Sequence, residues 1–205
     1  MFLNHSPIKV LAKRWKLILF SGLVAGLVVL VLSLFMPLQY RADAQVLIIS
    51  KSRYGVDPYT TVKSAERVGE NIVQVMKTND FFNKVMRQPG YSIDQTQYQN
   101  VTEKKKRLLW QKTIETSMVY GTGVLNVSAY SVDRGQAKQL AGAVADALVA
   151  KGWEYVGGDV TIKVVNDAVV TKWPVRPNLL FNTFLGFIVG IIIMKLMVLR
   201  KYKVI

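Results

Sequence analysis

Glu66 and Glu70 stand one helical turn apart, a spacing at which two carboxylates on a helix can cooperate in general acid–base chemistry. Nothing else in the surrounding sequence supports that chemistry, and the pair is expected to be solvated charge that aids solubility. The only histidine, His5, has no cysteine or carboxylate near it, so it is a poor nucleus for a metal site. The long central segment contains no histidine, which excludes a Ser-His-Asp triad there. The chain has no cysteine, hence no thiolate chemistry and no disulfide. No G-x-x-x-x-G-K-[ST] phosphate cradle occurs, so the chain is not itself a P-loop kinase. These residues predict a protein that is not an enzyme and uses no cofactor and no metal.

Other spacings predict contacts instead of reactions. Lys104-Lys105-Lys106-Arg107 is the densest charge cluster; on a helix it forms a solvated face, with contact to an acidic glycan or to lipid phosphates as the functional alternative. It lacks interleaved aromatics, the stacking platforms that single-stranded nucleic acid requires, so no nucleic-acid partner is expected. Gly22 with Gly26, and Gly186 with Gly190, form Gly-x-x-x-Gly pairs whose flat ridges let helix backbones approach closely, here within a ring of identical subunits. Pro174 and Pro177 fix their own φ and push Trp173 and Arg176 toward extended geometry. Asn178 can then cap the helix that follows, which makes 174–178 a stiff, proline-rich junction.

Two apolar segments position these residues. Leu17–Met36 runs for 20 residues without a charge, and Leu179–Leu199 is interrupted only by Lys195, whose long stem can carry its ammonium back to the interface. Each can cross roughly 30 Å of hydrocarbon as a helix. All 13 carboxylates fall between Asp43 and Asp167. Of the formal +14, residues 41–173 hold 18 basic against 13 acidic side chains, a net of +5. The rest is Arg176 with the bases of the two tails and segment edges, such as Lys13, Arg14, Lys16, Arg200 and Lys201. Short basic flanks obey the positive-inside rule, so both termini are expected in the cytoplasm and the middle outside the plasma membrane. Trp15 and Tyr202 fall at the inner boundary, Tyr40 and Trp173 at the outer one. A signal peptide is the competing reading, since Ala42-Asp43-Ala44 offers a small-x-small pattern, but the apolar run exceeds a signal core and a 16-residue head precedes it. The expected divisions are a tail at 1–16, transmembrane helices at 17–36 and 179–199, an extracytoplasmic domain at 37–173, the junction at 174–178 and a tail at 200–205.

The central domain reads as strand, helices, two strands, helix, strand. Tyr40–Ser50 alternates, with Ala42, Ala44, Val46 and Ile48 on one face. A loop holding Gly55 and Asp57-Pro58 ends it, and Val62–Met76 then has helical spacing. Phe81–Arg87 forms a short helix capped by Asn79 or Thr78 and stopped by Pro89-Gly90. Val101–Lys112 is a basic helix. Thr113–Tyr120 and Val124–Tyr130 are strands about the Gly121-Thr122-Gly123 turn. Asp133 opens a helix striped by Ala137, Leu140, Ala141, Val144 and Leu148, and Val160–Val165, beyond Gly157-Gly158, is the last strand. The fold class is α+β: two transmembrane helices flanking one extracytoplasmic ferredoxin-like α/β domain.

The run from Gly121 to Asp133, the stripe that follows, and Val165-Asn-Asp-Ala168 ahead of Pro174-Val-Arg-Pro177-Asn178 resemble the Wzz family of polysaccharide co-polymerases, or chain-length determinants. In size the chain is similar to that family's small capsule-biosynthesis adaptors, which modulate a tyrosine autokinase. The layout is alike over the whole chain, and the residues match best from about Gly121 to Gly190. Thr171 stands where a further proline is common in the family, as does Arg134 after Asp133. The resemblance implies a non-enzymatic regulator of surface polysaccharide (capsule, exopolysaccharide or O-antigen) polymerisation and export, which sets chain length as an oligomeric membrane scaffold. Its implied partners are the membrane, further copies of the chain, a polysaccharide polymerase, the glycan itself and, in the adaptor version, a cytosolic tyrosine kinase. It also makes the proline-rich junction a hinge or contact surface for a partner enzyme. A receptor-like extracytoplasmic sensor is the rival from another class, but it needs a cytoplasmic effector or a long signalling helix.

Overall fold

A period of two decides the first strand: Ala42, Ala44, Val46 and Ile48 share one face of Tyr40–Ser50 (β1), and all four are buried. The computed structural model describes residues 11–50, 57–157 and 160–201. His5, Gly55, Gly158 and Tyr202 lie outside the described residues. The elements run α1 (Trp15–Leu34), β1, α2 (Pro58–Val75), α3 (Asn79–Met86), a 3-10 turn (Thr96–Tyr98), α4 (Glu103–Thr113), β2 (Ile114–Met118), β3 (Val124–Ser131), α5 (Arg134–Lys151), α6 (Trp153–Val156), β4 (Val160–Val170) and α7 (Leu179–Lys201). They form two compact units. One comprises residues up to Leu38 with those from Val175 onward; the other is Gln39–Pro174.

In the first unit α1 packs on α7, and both helices are long and apolar enough to cross a membrane. Each starts or ends a little away from the apolar run that predicts it. The first helix takes in Trp15 and Lys16 and stops at Leu34, because Met36 precedes Pro37 and is disfavoured in helical geometry.

The second unit is a mixed α/β domain on one four-stranded sheet of order β2-β3-β1-β4, antiparallel throughout. The register sets Val46 against Leu125 and Ala44 against Val127 on one side of β1, and Ile48 against Ile162 on the other. One sheet face is covered by α5, through Ala137, Leu140, Ala141, Val144 and Leu148, and by Ala65 and Ile72 of α2. Burying a Leu- or Val-sized side chain of this kind contributes roughly 1.5–3 kcal/mol. Phe82, Tyr98 and Trp110 extend this core: Phe82 meets the other two rings edge-on at 4.7 and 5.2 Å, locking α3, the 3-10 turn and α4 together.

Several boundaries differ from expectation; the strand expected at Thr113–Tyr120, for one, is confined to Ile114–Met118. The second helix begins at Pro58, not Val62: Asp57, expected in the preceding loop, accepts a hydrogen bond from the Thr60 N–H at 3.3 Å, and proline suits a first helical position. The last strand extends to Val170 instead of Val165. Register shifts against β1 on either side of Gln45 insert extra residues on the β4 side, which breaks the alternation that would reveal its second half. The short α6 after Gly152 was not foreseen; its Trp153 indole donates back to the Ala150 carbonyl at 3.0 Å.

Candidate functional site

Within the helix pair, the four glycines sit at the crossing of α1 and α7. A Cβ at Gly190 would lie 2.9 Å from the Ser21 carbonyl and 3.1 Å from the Gly22 Cα; one at Gly186 would meet Val29. Gly26 lies against Thr183 and Phe187. Within one chain the two small-residue faces meet each other, as two such ridges on one polypeptide are close complements. Two polar links accompany the contact. The Asn182 amide donates to Ser33 Oγ at 3.1 Å, and the Ser21 hydroxyl donates to the Gly190 carbonyl at 3.4 Å. Lys195 is exposed on α7 near Arg200 and Lys201.

At the proline-rich junction, Asn178 caps α7: its Oδ1 accepts from the Phe181 N–H at 3.1 Å and its carbonyl from the Asn182 N–H at 2.9 Å. The Arg176–Pro177 peptide is cis, and the division between the two units falls between Pro174 and Val175. Thr171 and Arg134 each make a contact of their own. The Thr171 N–H, which proline lacks, donates to the Arg41 carbonyl at 2.7 Å. The Arg134 guanidinium lies 5.6 Å from the centre of the Tyr40 ring.

In the α/β domain the basic cluster splits. Thr102 caps α4, and Lys104, Lys105 and Arg107 are exposed as expected. Lys106 is half-buried instead, its ammonium 4.8 Å from the Phe82 ring centre and 3.7 Å from Glu103. It lines a cavity of about 220 Å³ between α3, the 3-10 turn and α4. A second cavity, of about 500 Å³, lies beside α5 and β4; there the Tyr91 hydroxyl donates to Asp146 at 2.6 Å. Burial and that carboxylate push Tyr91 up to about 12. Among the described residues, no three potential metal ligands gather.

Two features were not legible in the chain. Glu66, expected to be solvated, is buried: it accepts from Lys63 at 3.0 Å and from the Gly121 N–H at 3.4 Å, joining α2 to the β2–β3 turn. The Lys63 hydrogen bond holds its carboxyl below the usual range, against the opposing effect of burial. The uncovered sheet face carries a polar ladder in which Asn166 donates to Gln45, Gln45 donates to Asn126 at 2.7 Å, and Ser128 donates to Asp43 at 2.6 Å. Period-two alternation places Asp43 and Gln45 on that face, but only the register brings their partners opposite.

Residues 8–88 match the family model for the chain length determinant protein, Wzz. Over those residues the chain is similar to Wzz proteins. The match spans the first membrane-length helix, the inner strand β1, α2 and α3, and ends two residues past Met86. It lies upstream of Gly121–Gly190, the stretch on which the resemblance in the sequence rests. No curated protein matches the chain.

Proposed function

We propose that this protein regulates the chain length of a surface polysaccharide without making or breaking bonds itself. The observation that carries the reading is the Wzz match to residues 8–88, which joins a membrane-length helix to an inner strand of the sheet. In this reading α1 and α7 cross the plasma membrane as a hairpin, both tails are cytoplasmic, and the α/β domain lies outside. The basic flanks and the confinement of all carboxylates between Asp43 and Asp167 support that orientation. The strand order, with α5 linking β3 to β4 across β1, supports a ferredoxin-like domain. Several copies form a scaffold beside the polymerase, and the α/β domain meets the growing glycan. Contacts between copies then use surfaces other than the four glycines, which the helix pair already occupies.

The test is to delete the protein and resolve the host's surface glycan by length. A shifted or broadened length distribution, restored by the intact chain, is expected. Unchanged amount and length would overturn the proposal.

A further inference from the structure

The cavity between α3, the 3-10 turn and α4 has a lining of unusual chemistry. Arg87 and Lys106 bring two cations, and Asn83, Gln95 and Gln99 bring three carboxamides. No carboxylate of the described residues lines it. Phe82 and Tyr98, both almost fully buried, supply an apolar floor. Among the described residues, none of Asn83, Gln95, Gln99 and Arg87 spends its side chain on a hydrogen bond or ion pair within the chain. Lys106 is constrained: the Phe82 ring lies beneath its ammonium, and Glu103 holds it only loosely, at 3.7 Å.

Each part of that lining answers to a part of one ligand class. Carboxamides both donate and accept, which suits hydroxyl groups that do the same. The guanidinium fork suits a carboxylate, which it can bind through two parallel hydrogen bonds. An apolar floor suits the C–H face of a saturated ring. A volume of about 220 Å³ is below the usual range for drug-sized ligands and leaves room for a single ring. The exposed Lys104, Lys105 and Arg107 on the same helix raise the local positive potential and draw anions toward the opening.

We propose that this cavity binds one carboxylate-bearing sugar residue of the polysaccharide, with Arg87 and Lys106 on the carboxylate and Asn83, Gln95 and Gln99 on the ring hydroxyls. The identity of the ligand rests on the polysaccharide reading above; the anion and hydroxyl chemistry rests on the cavity alone. The site gives the domain a means of sensing the chain directly, and it makes that sensing specific for acidic repeat units.

The experiment uses the full chain in lipid nanodiscs and reads saturation-transfer NMR from free glucuronate, glucose and inorganic phosphate. Glucuronate should give a signal about tenfold stronger than glucose, the difference expected for charge-assisted hydrogen bonds. Arg87→Gln, at an exposed position, should reduce that signal by a similar factor, and Gln99→Ala should weaken it. Arg67→Gln, an exposed cation on α2 that does not line the cavity, should leave it intact. Equal signals from glucose and glucuronate, an unaltered signal in Arg87→Gln, or an equal loss in Arg67→Gln would overturn the site. Displacement of glucuronate by equimolar phosphate would also overturn it, by showing a general anion sink. The two readings fail separately: an unchanged glycan in the deletion strain rejects the chain-length function, whereas unselective binding rejects the sugar site alone.

Discussion

The indole N–H of Trp110 donates a 2.7 Å hydrogen bond to the backbone carbonyl of Met76 inside the core. This bond ties α4 to the C-terminal end of α2, where the last helical carbonyls have no partners of their own. It also sets the position of the aromatic group beneath the cavity that Lys106 lines.

Trp110→Phe keeps a ring but strands the Met76 carbonyl and leaves a void. It should cost about 2–4 kcal/mol, and Trp110→Ala more. Thermal unfolding of the detergent-solubilised chain measures both. Melting temperatures equal to the parent's would show that the bond does not hold the two helices together.

Acid should weaken the link from Glu66 to Lys63. The Glu66 carboxyl is depressed below its ordinary value of 4.5, so the unfolded chain takes up the proton first. Its stabilisation is present above pH 4.5 and is lost as pH falls through the lower folded value. Lys63 is raised, chiefly by the same hydrogen bond, so its share is complete below 10.5 and is lost as pH rises through the folded value. Asp80, Asp94 and Glu154 are depressed as well and add to the acid arm. The readout is therefore a comparison: Glu66→Gln should show a shallower drop in melting temperature between pH 5 and pH 3 than the parent chain. Parallel curves would argue against a role for Glu66.

Gly190→Leu should force α1 from α7. Its Cβ alone would fall 2.5 Å from the Ala25 Cβ and 2.9 Å from the Ser21 carbonyl, which are rigid neighbours. Since the chain has no cysteine, an engineered Ser33→Cys/Asn182→Cys pair reports the contact cleanly. The leucine substitution should abolish most of its cross-linking within one chain. Retained cross-linking would mean that the helices pair through other residues.

Thr171→Pro removes the N–H given to the Arg41 carbonyl. A loss of about 1–3 kcal/mol is expected. Thr171→Val keeps that N–H and loses only the hydroxyl that accepts from the Arg41 N–H at 3.2 Å, so it should cost less. Equal effects of the two would place the contribution in the hydroxyl instead.

Much of this architecture was legible because it follows from local periodicity and capping. Alternation in β1, the Ala137–Leu148 stripe and the caps at Asp133 and Asn178 depend on neighbours within a few residues and appear as expected, and of the two caps open for α3 the structure uses Thr78. Boundaries failed where nonlocal pairing intervened. The second half of β4 is a strand because β1 lies beside it, and its bulges hide that from any count of alternating residues.

Side-chain roles separated in the same way. The chain alone determined two membrane-length apolar segments and the confinement of carboxylates between them, since these are matters of composition and order. Only the tertiary structure decided that Glu66 is buried against Gly121, that the four glycines meet within one chain, and that Lys106 leaves its basic neighbours to line a cavity with Arg87. Each of those outcomes joins residues distant in sequence, and burial, charge pairing and close approach depend on what lies opposite in space, not on what lies adjacent in the chain.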